Sequence, residues 1–248
     1  MLFAAAALML GTVADARAGD VVKIGFKSGK EPYVLPKKPF KKSDFDPSNA
    51  LGIEIEICRE AFAVVGKTIE PVYMNYKRMP HEIQAGNIDA AGQLVADVPG
   101  VTYVKEYVAL HDHAIYDPSK AVKISTLKDL EGRRVLAFQR AKDFMGPAYV
   151  AAIAKAKSYK EIDDQEKQVR IFLSGRTDVV ILDIGIFKHW AKVYGKPGAE
   201  YGYAPVFGDP FFFAIGFKDK ALSEQFRTGW KTIKENGVYD AIIKKYLE

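Results

Sequence analysis

Cysteine is almost missing from this chain of 248 residues, where Cys58 stands alone. A single thiol excludes an internal disulfide and any cysteine metal cluster. Its neighbours Ile57, Ala61 and Phe62 place it in a core. Histidine is scarce too, with four in the chain. His111 and His113 share one side of a strand, but no third His or Cys lies nearby, so they read as surface or hinge residues and no metal is expected. No basic run is interleaved with aromatics. The net charge of +5 therefore describes a solvated surface, and no nucleic-acid partner is expected.

Long hydrophobic runs are lacking as well. The apolar stretch from Leu2 to Val13 is too short to span a bilayer. With Ala16-Arg17-Ala18 ahead of Gly19 it reads as an export signal over residues 1–18, although no Lys or Arg precedes it, as if the true start lay upstream. No cysteine follows the cleavage point, which argues against a lipid tether. An exported, soluble, periplasmic location is expected. The remaining composition, 48% apolar and 27% charged, is ordinary for a soluble protein and allows one large domain or two small ones.

What is present is organised around one device that occurs twice. In Phe172 to Phe187 a helical segment ends at Gly175, a residue free to take positive φ. After two intervening residues comes Asp178, then the apolar run Val179-Val180-Ile181-Leu182. A run apolar on both faces reads as a strand buried in a parallel sheet, with Asp183 at its carboxyl end, where open α/β sheets place ligands. An earlier copy surrounds Gly86 and Asp89, followed by a strand from Ala90 to Val95. Two such units imply two lobes, each a doubly wound α/β sheet, and two lobes imply a cleft.

The expected division is 1–18 signal, 19–109 first part of lobe one, 110–204 lobe two, and 205–248 a return segment with C-terminal helices. Ala109 to Asp117 and Tyr201 to Phe207 are the expected crossings, which together form a hinge able to close on something. Tyr33 follows the opening strand in a loop with four prolines and six lysines and could face the cleft. Gln139-Arg140-Ala141-Lys142 follows the strand Arg133 to Phe138, where backbone N–H groups and two cations would stabilise an anion.

Several segments resemble the type II periplasmic solute-binding proteins, in particular the polar amino-acid subgroup of ABC importers (solute-binding protein family 3). They are Gly52-Ile53-Glu54-Ile55-Glu56-Ile57, Ile83-Gln84-Ala85 with Gly86-Asn87-Ile88-Asp89, Asp129 to Val135, and Asn236 to Tyr246. The resemblance implies a two-lobed fold and no cofactor. Its implied partners are a small-molecule ligand and the membrane subunits of an importer, and a monomer is expected. It also implies that Tyr76 stacks on the solute, that Gln93 lies among its polar partners, and that Asp183 receives an α-ammonium group. The family's Arg for the α-carboxylate is missing, since Pro99, Gly100 and Val101 occupy its place. Ala141 and Lys142 stand where a small hydroxyl residue is usual. Arg78 or Arg140 could substitute for the missing cation.

The carrier reading is therefore preferred over an enzyme, and walls fused shut or Asp183 turned away from any opening would overturn it. Two alternatives remain: an accessory protein that binds a periplasmic partner, and a small dehydratase-like enzyme using a cleft carboxylate such as Asp183 or Glu31 as acid or base.

Overall fold

The structure is a computed structural model and describes residues 21–27, 29–35, 50–94, 97–208 and 210–247. The export signal expected over residues 1–18 lies outside them, as do residues 36–49 of the Pro- and Lys-rich loop and Val95.

The duplicated device builds both sheets. Gly86 (φ 77°) ends α2 (Met79–Ala85) in the left-handed conformation, and Gly175 (φ 77°) follows α5 (Gln165–Leu173) in the same way. Three residues on, Asp89 and Asp178 do the same job. Asp89 accepts from the Lys23 backbone N–H at 2.8 Å, while its own N–H donates to the Lys23 carbonyl at 2.8 Å. Asp178 accepts from Arg134 N–H at 2.8 Å and donates back to the Arg134 carbonyl at 2.9 Å. Each aspartate thus sets the register of its own strand against a neighbour. The pairs are β3 (Ala90–Ala91) with β1 (Val21–Lys27), and β8 (Val179–Asp183) with β6 (Arg134–Phe138).

Around these pairs grow two five-stranded sheets of matching plan. With β2 (Thr68–Met74), β4 (Thr102–Leu110) and β10 (Phe211–Phe217), the first runs β2-β1-β3-β10-β4. With β5 (Asp112–Tyr116), β7 (Ser158–Ile162) and β9 (Gly202–Ala204), the second runs β7-β6-β8-β5-β9. In each, four strands run in one direction and one, β10 or β5, runs against them.

Two details differ from the sequence reading. The strand expected from Ala90 to Val95 is only Ala90–Ala91, because the chain turns at Gly92 and Gln93, the latter at φ 49°. The first crossing is also tighter than expected: β4 ends at Leu110 and β5 starts at Asp112 in the other sheet, leaving His111 as the link.

Helices cover the sheets. α1 (Ile53–Val64) buries Ile53, Ile57 and Ala61, as its periodicity predicts. α7 (Lys220–Glu235) lies so close to it that a Cβ at Gly229 would stand 1.8 Å from the Ala61 carbonyl oxygen. Phe62, Phe217 and Phe226 interlock beneath, with ring centres 5.2 to 6.3 Å apart, and each fully buried ring contributes roughly 2–3 kcal/mol. α8 (Val238–Leu247) is tied to α1 because Glu56 accepts from Lys245 Nζ at 2.9 Å and from the Tyr246 hydroxyl. α6 (Ile184–Tyr194) meets α8 at Gly185, where a Cβ would come within 2.5 Å of Leu247 Cδ2. The largest core accordingly includes Phe172 and Phe187 of the second lobe together with Phe26 and Phe62 of the first.

Candidate functional site

Between the lobes lies a cleft of roughly 600 Å³. The first lobe contributes Lys27, Lys30, Tyr76 and Lys77, with Phe211 and Phe213 from β10. The second contributes Asp112, His113, Phe138, Arg140, Phe144 and Asp163, among others. Leu110, His111 and Pro205 line it at the crossings. The walls thus carry six Phe and Tyr rings and six charged side chains, apolar surface with polar groups set in it, as small-molecule sites have.

Tyr76 is on the wall and forms the outer end of a polar chain that runs inward. Its hydroxyl donates to Gln93 Oε1, and Gln93 Nε2 donates to Glu54 Oε1. The Tyr107 hydroxyl donates to Glu54 Oε2 at 2.5 Å and accepts from the Gln93 backbone N–H at 3.0 Å. Gly92 permits this, since a Cβ there would sit 2.9 Å from the Tyr107 hydroxyl and 3.1 Å from Glu54 Oε2. Burial pushes the Glu54 carboxyl up to about 7, against the opposing pull of Tyr107, of the Lys30 charge and of Gln93. Gln93 itself, 1% exposed, supports the cleft from behind rather than lining it.

Lys30 and Asp112 face the same cleft from opposite lobes. Lys30 is 7% exposed, with Nζ 4.9 Å from the centre of the Phe213 ring. Burial lowers its ammonium to about 8, with Glu54 countering. Burial and the nearby Asp183 carboxylate raise Asp112 to about 7, with Lys30 pulling it down. The charges perturb each other, yet no ion pair within 4.0 Å joins them, and Lys30 makes none with any described residue.

Asp183 corrects the expectation made for it. It is 1% exposed and caps α6, accepting from Ile186 N–H at 2.9 Å. It also accepts from His111 N–H at 2.7 Å and from the Tyr33 hydroxyl at 3.1 and 3.2 Å. Both of its oxygens are occupied and it does not line the cleft, so the outcome set against the carrier reading is met at this residue, and the cleft's other side chains have to carry that reading. Tyr33, also 1% exposed, is likewise turned away from the cleft, and its hydroxyl fastens a first-lobe loop to the second lobe. Arg78 is no replacement for the missing cation, because its exposed guanidinium pairs with Glu82 one helical turn on, at 2.8 Å.

The loop after β6 differs in a more informative way. Arg140 N–H donates to Glu161 Oε2 at 2.9 Å and Lys142 N–H to Glu161 Oε1 at 3.1 Å. The anion-stabilising position expected there is therefore filled by the protein's own carboxylate. Glu161 arrives on β7, a short polar edge strand that the apolar pattern did not reveal. Lys142 points its ammonium at the Tyr159 ring, 4.8 Å from its centre, and is not on the cleft wall. Arg140 does line the cleft, with its Nε bound to Asp143 at 2.8 Å and its guanidinium 5.2 Å from the Phe144 ring centre. Among the described residues no group of three or more His, Cys, Asp or Glu could hold a metal.

Two mixed sheets that face each other over a cleft and are joined by two crossings define the two-lobed type II periplasmic-binding-protein fold. No family model matches the chain. It is 24% identical over 243 residues to the arginine-binding periplasmic protein of Mannheimia haemolytica, covering 97% of this chain and 96% of that one. Among solved structures it is similar to an ABC uptake transporter substrate-binding protein of Streptococcus pneumoniae with bound histidine. That match has 17% identity and a TM-score of 0.68, and covers 92% of each chain. It is also similar to an ancestral amino-acid-binding protein described as a precursor of cyclohexadienyl dehydratase, with 16% identity, a TM-score of 0.65, and 93% and 96% of the two chains covered. These likenesses show the fold.

Proposed function

We propose that the chain is the periplasmic solute-binding component of an ABC importer, a monomer that takes up a small charged solute by closing its two lobes. One observation carries this reading. The inter-lobe cleft has aromatic walls and a buried ammonium, Lys30, that no described carboxylate pairs with. Closure would remove water from those charges and strengthen each contact with the solute. The closed form would then be what the membrane subunits engage. Among the described residues no helix is long and apolar enough to cross a membrane.

A thermal-shift screen of amino acids, organic acids and small amines tests the reading. A solute at about 100 times its dissociation constant stabilises the fold by roughly 2.7 kcal/mol, which for a chain of this size raises the melting temperature by roughly 5–10 °C. If no compound moves it by as much as a degree, the carrier reading fails.

A second reading, an enzyme, is favoured by Asp112 on the cleft wall with its carboxyl raised to about 7, a value suited to acid–base work. The similarity to a dehydratase precursor points the same way. Asp183, bound on both oxygens inside the protein, has no part in it. New product on incubation with the solutes that bind would decide for the enzyme.

A further inference from the structure

We propose that Lys30 and Asp112 are the paired anchors of the cleft: Lys30 takes the carboxylate and Asp112 the ammonium of a zwitterionic solute with an aromatic body. The proposal rests on the carrier reading above and names the groups and the solute class.

Geometry carries it. Asp112 sits directly across the β5–β8 ladder from Asp183. The residue at the end of β8 is consumed by the Ile186 and His111 N–H groups and the Tyr33 hydroxyl, and its neighbour in register is the carboxylate that lines the opening. Lys30 comes from the other lobe. It is more than nine-tenths buried, lies on the cleft wall, and holds its Nζ 4.9 Å from the centre of the Phe213 ring. A buried ammonium with no carboxylate among the described residues within ion-pair distance is costly, and a solute carboxylate would satisfy it. Tyr76, Phe211 and Phe213 of the first lobe and Phe138 and Phe144 of the second line the same cleft and offer flat apolar surface to a solute's body. A second positive charge on the solute would meet Lys27 and Lys77 on the first-lobe wall and Arg140 on the second, where Asp163 is the one further carboxylate among the described lining residues. This selects against arginine-like solutes.

The test uses the full chain and four probes by titration calorimetry: L-phenylalanine, 3-phenylpropionate, phenethylamine and L-arginine. Phenylalanine is expected to bind the wild type tightest and arginine more weakly. Lys30→Met should weaken phenylalanine and phenylpropionate at least tenfold and leave phenethylamine within about twofold. Asp112→Asn should do the reverse, weakening phenylalanine and phenethylamine and sparing phenylpropionate. Lys30→Arg, which keeps the charge, should restore most of the loss seen in Lys30→Met, and melting curves confirm that each variant folds. The assignment is overturned if both variants bind phenylalanine as the wild type does, if the two half-probes respond alike to both variants, if arginine binds tighter than phenylalanine, or if none of the four probes binds. In that last case the wider solute screen decides separately whether the carrier reading also falls.

Discussion

Replacing Asp183 with alanine separates a structural role for this carboxylate from a ligand-binding one. In the native protein it accepts four hydrogen bonds from three donors: Ile186 N–H, His111 N–H and the Tyr33 hydroxyl. The Ile186 and Tyr33 partners are buried and have no route to water. The Ile186 N–H is the helix N-cap bond, worth about 1 kcal/mol, and a buried donor left short of its acceptor costs about 1–3 kcal/mol, so the variant should lose about 2–4 kcal/mol. At roughly 2–4 °C per kcal/mol for a chain of this size, the melting temperature should fall on the order of 10 °C. Asp183→Asn keeps one accepting oxygen and should fall between the two. Differential scanning calorimetry reads the loss, and titration with the most stabilising solute of the screen reads binding by the folded variant. Affinity is expected within about threefold of the wild type, because Asp183 does not reach the cleft. A variant that melts within two degrees of the wild type, or that melts normally but binds tenfold more weakly, would refute this assignment.

Two further perturbations probe the core beside the cleft. Burial raises Glu54 from its ordinary 4.5 to about 7, so its contribution to stability is fully present below pH 4.5 and is lost as pH rises through 7. At roughly 1.4 kcal/mol per pH unit that loss is about 3 kcal/mol. Asp112 adds a slope of the same sign in both proteins, so the difference between the urea-unfolding profiles of wild type and Glu54→Gln isolates Glu54. Parallel profiles from pH 4.5 to 7 would refute the buried, raised carboxyl. Gly229→Ala inverts a general rule. Mid-helix Gly to Ala ordinarily gains about 0.5–1 kcal/mol, but here the added methyl meets the Ala61 carbonyl oxygen. A loss of about 1–3 kcal/mol is expected from overpacking, and a gain would show that α1 and α7 are not so close.

The scaffold was legible where the chemistry is local. Gly86 and Gly175 mark helix ends because their φ is open to glycine, and Asp89 and Asp178 follow at fixed spacing to grip the neighbouring strand. The site was less legible because its partners are far apart in the chain. Asp183 was rightly placed at a strand end, but the groups that fill its oxygens include Tyr33 and His111, 150 and 72 positions away. Lys30 and Asp112 look like ordinary surface residues until two lobes bring them to one cleft. Glu54 and Glu56 sit in a helix whose apolar face is clear, yet both are buried, which only the packing of Tyr107 and of α8 explains. Two misses had a readable signal. Arg78 stands four residues before Glu82, the spacing of a helical ion pair. Ser158 to Ile162 is a short polar run with a lysine at its centre, which suits an edge strand, and recognising it would have placed Glu161 beside the loop it occupies.

A crystal structure grown with the solute that raises the melting temperature most would test the central claim directly. The account predicts that solute inside the inter-lobe cleft, against Tyr76 and Phe213 on one side and within reach of Asp112 on the other. A solute bound anywhere else, with the cleft holding none of it, would contradict the account.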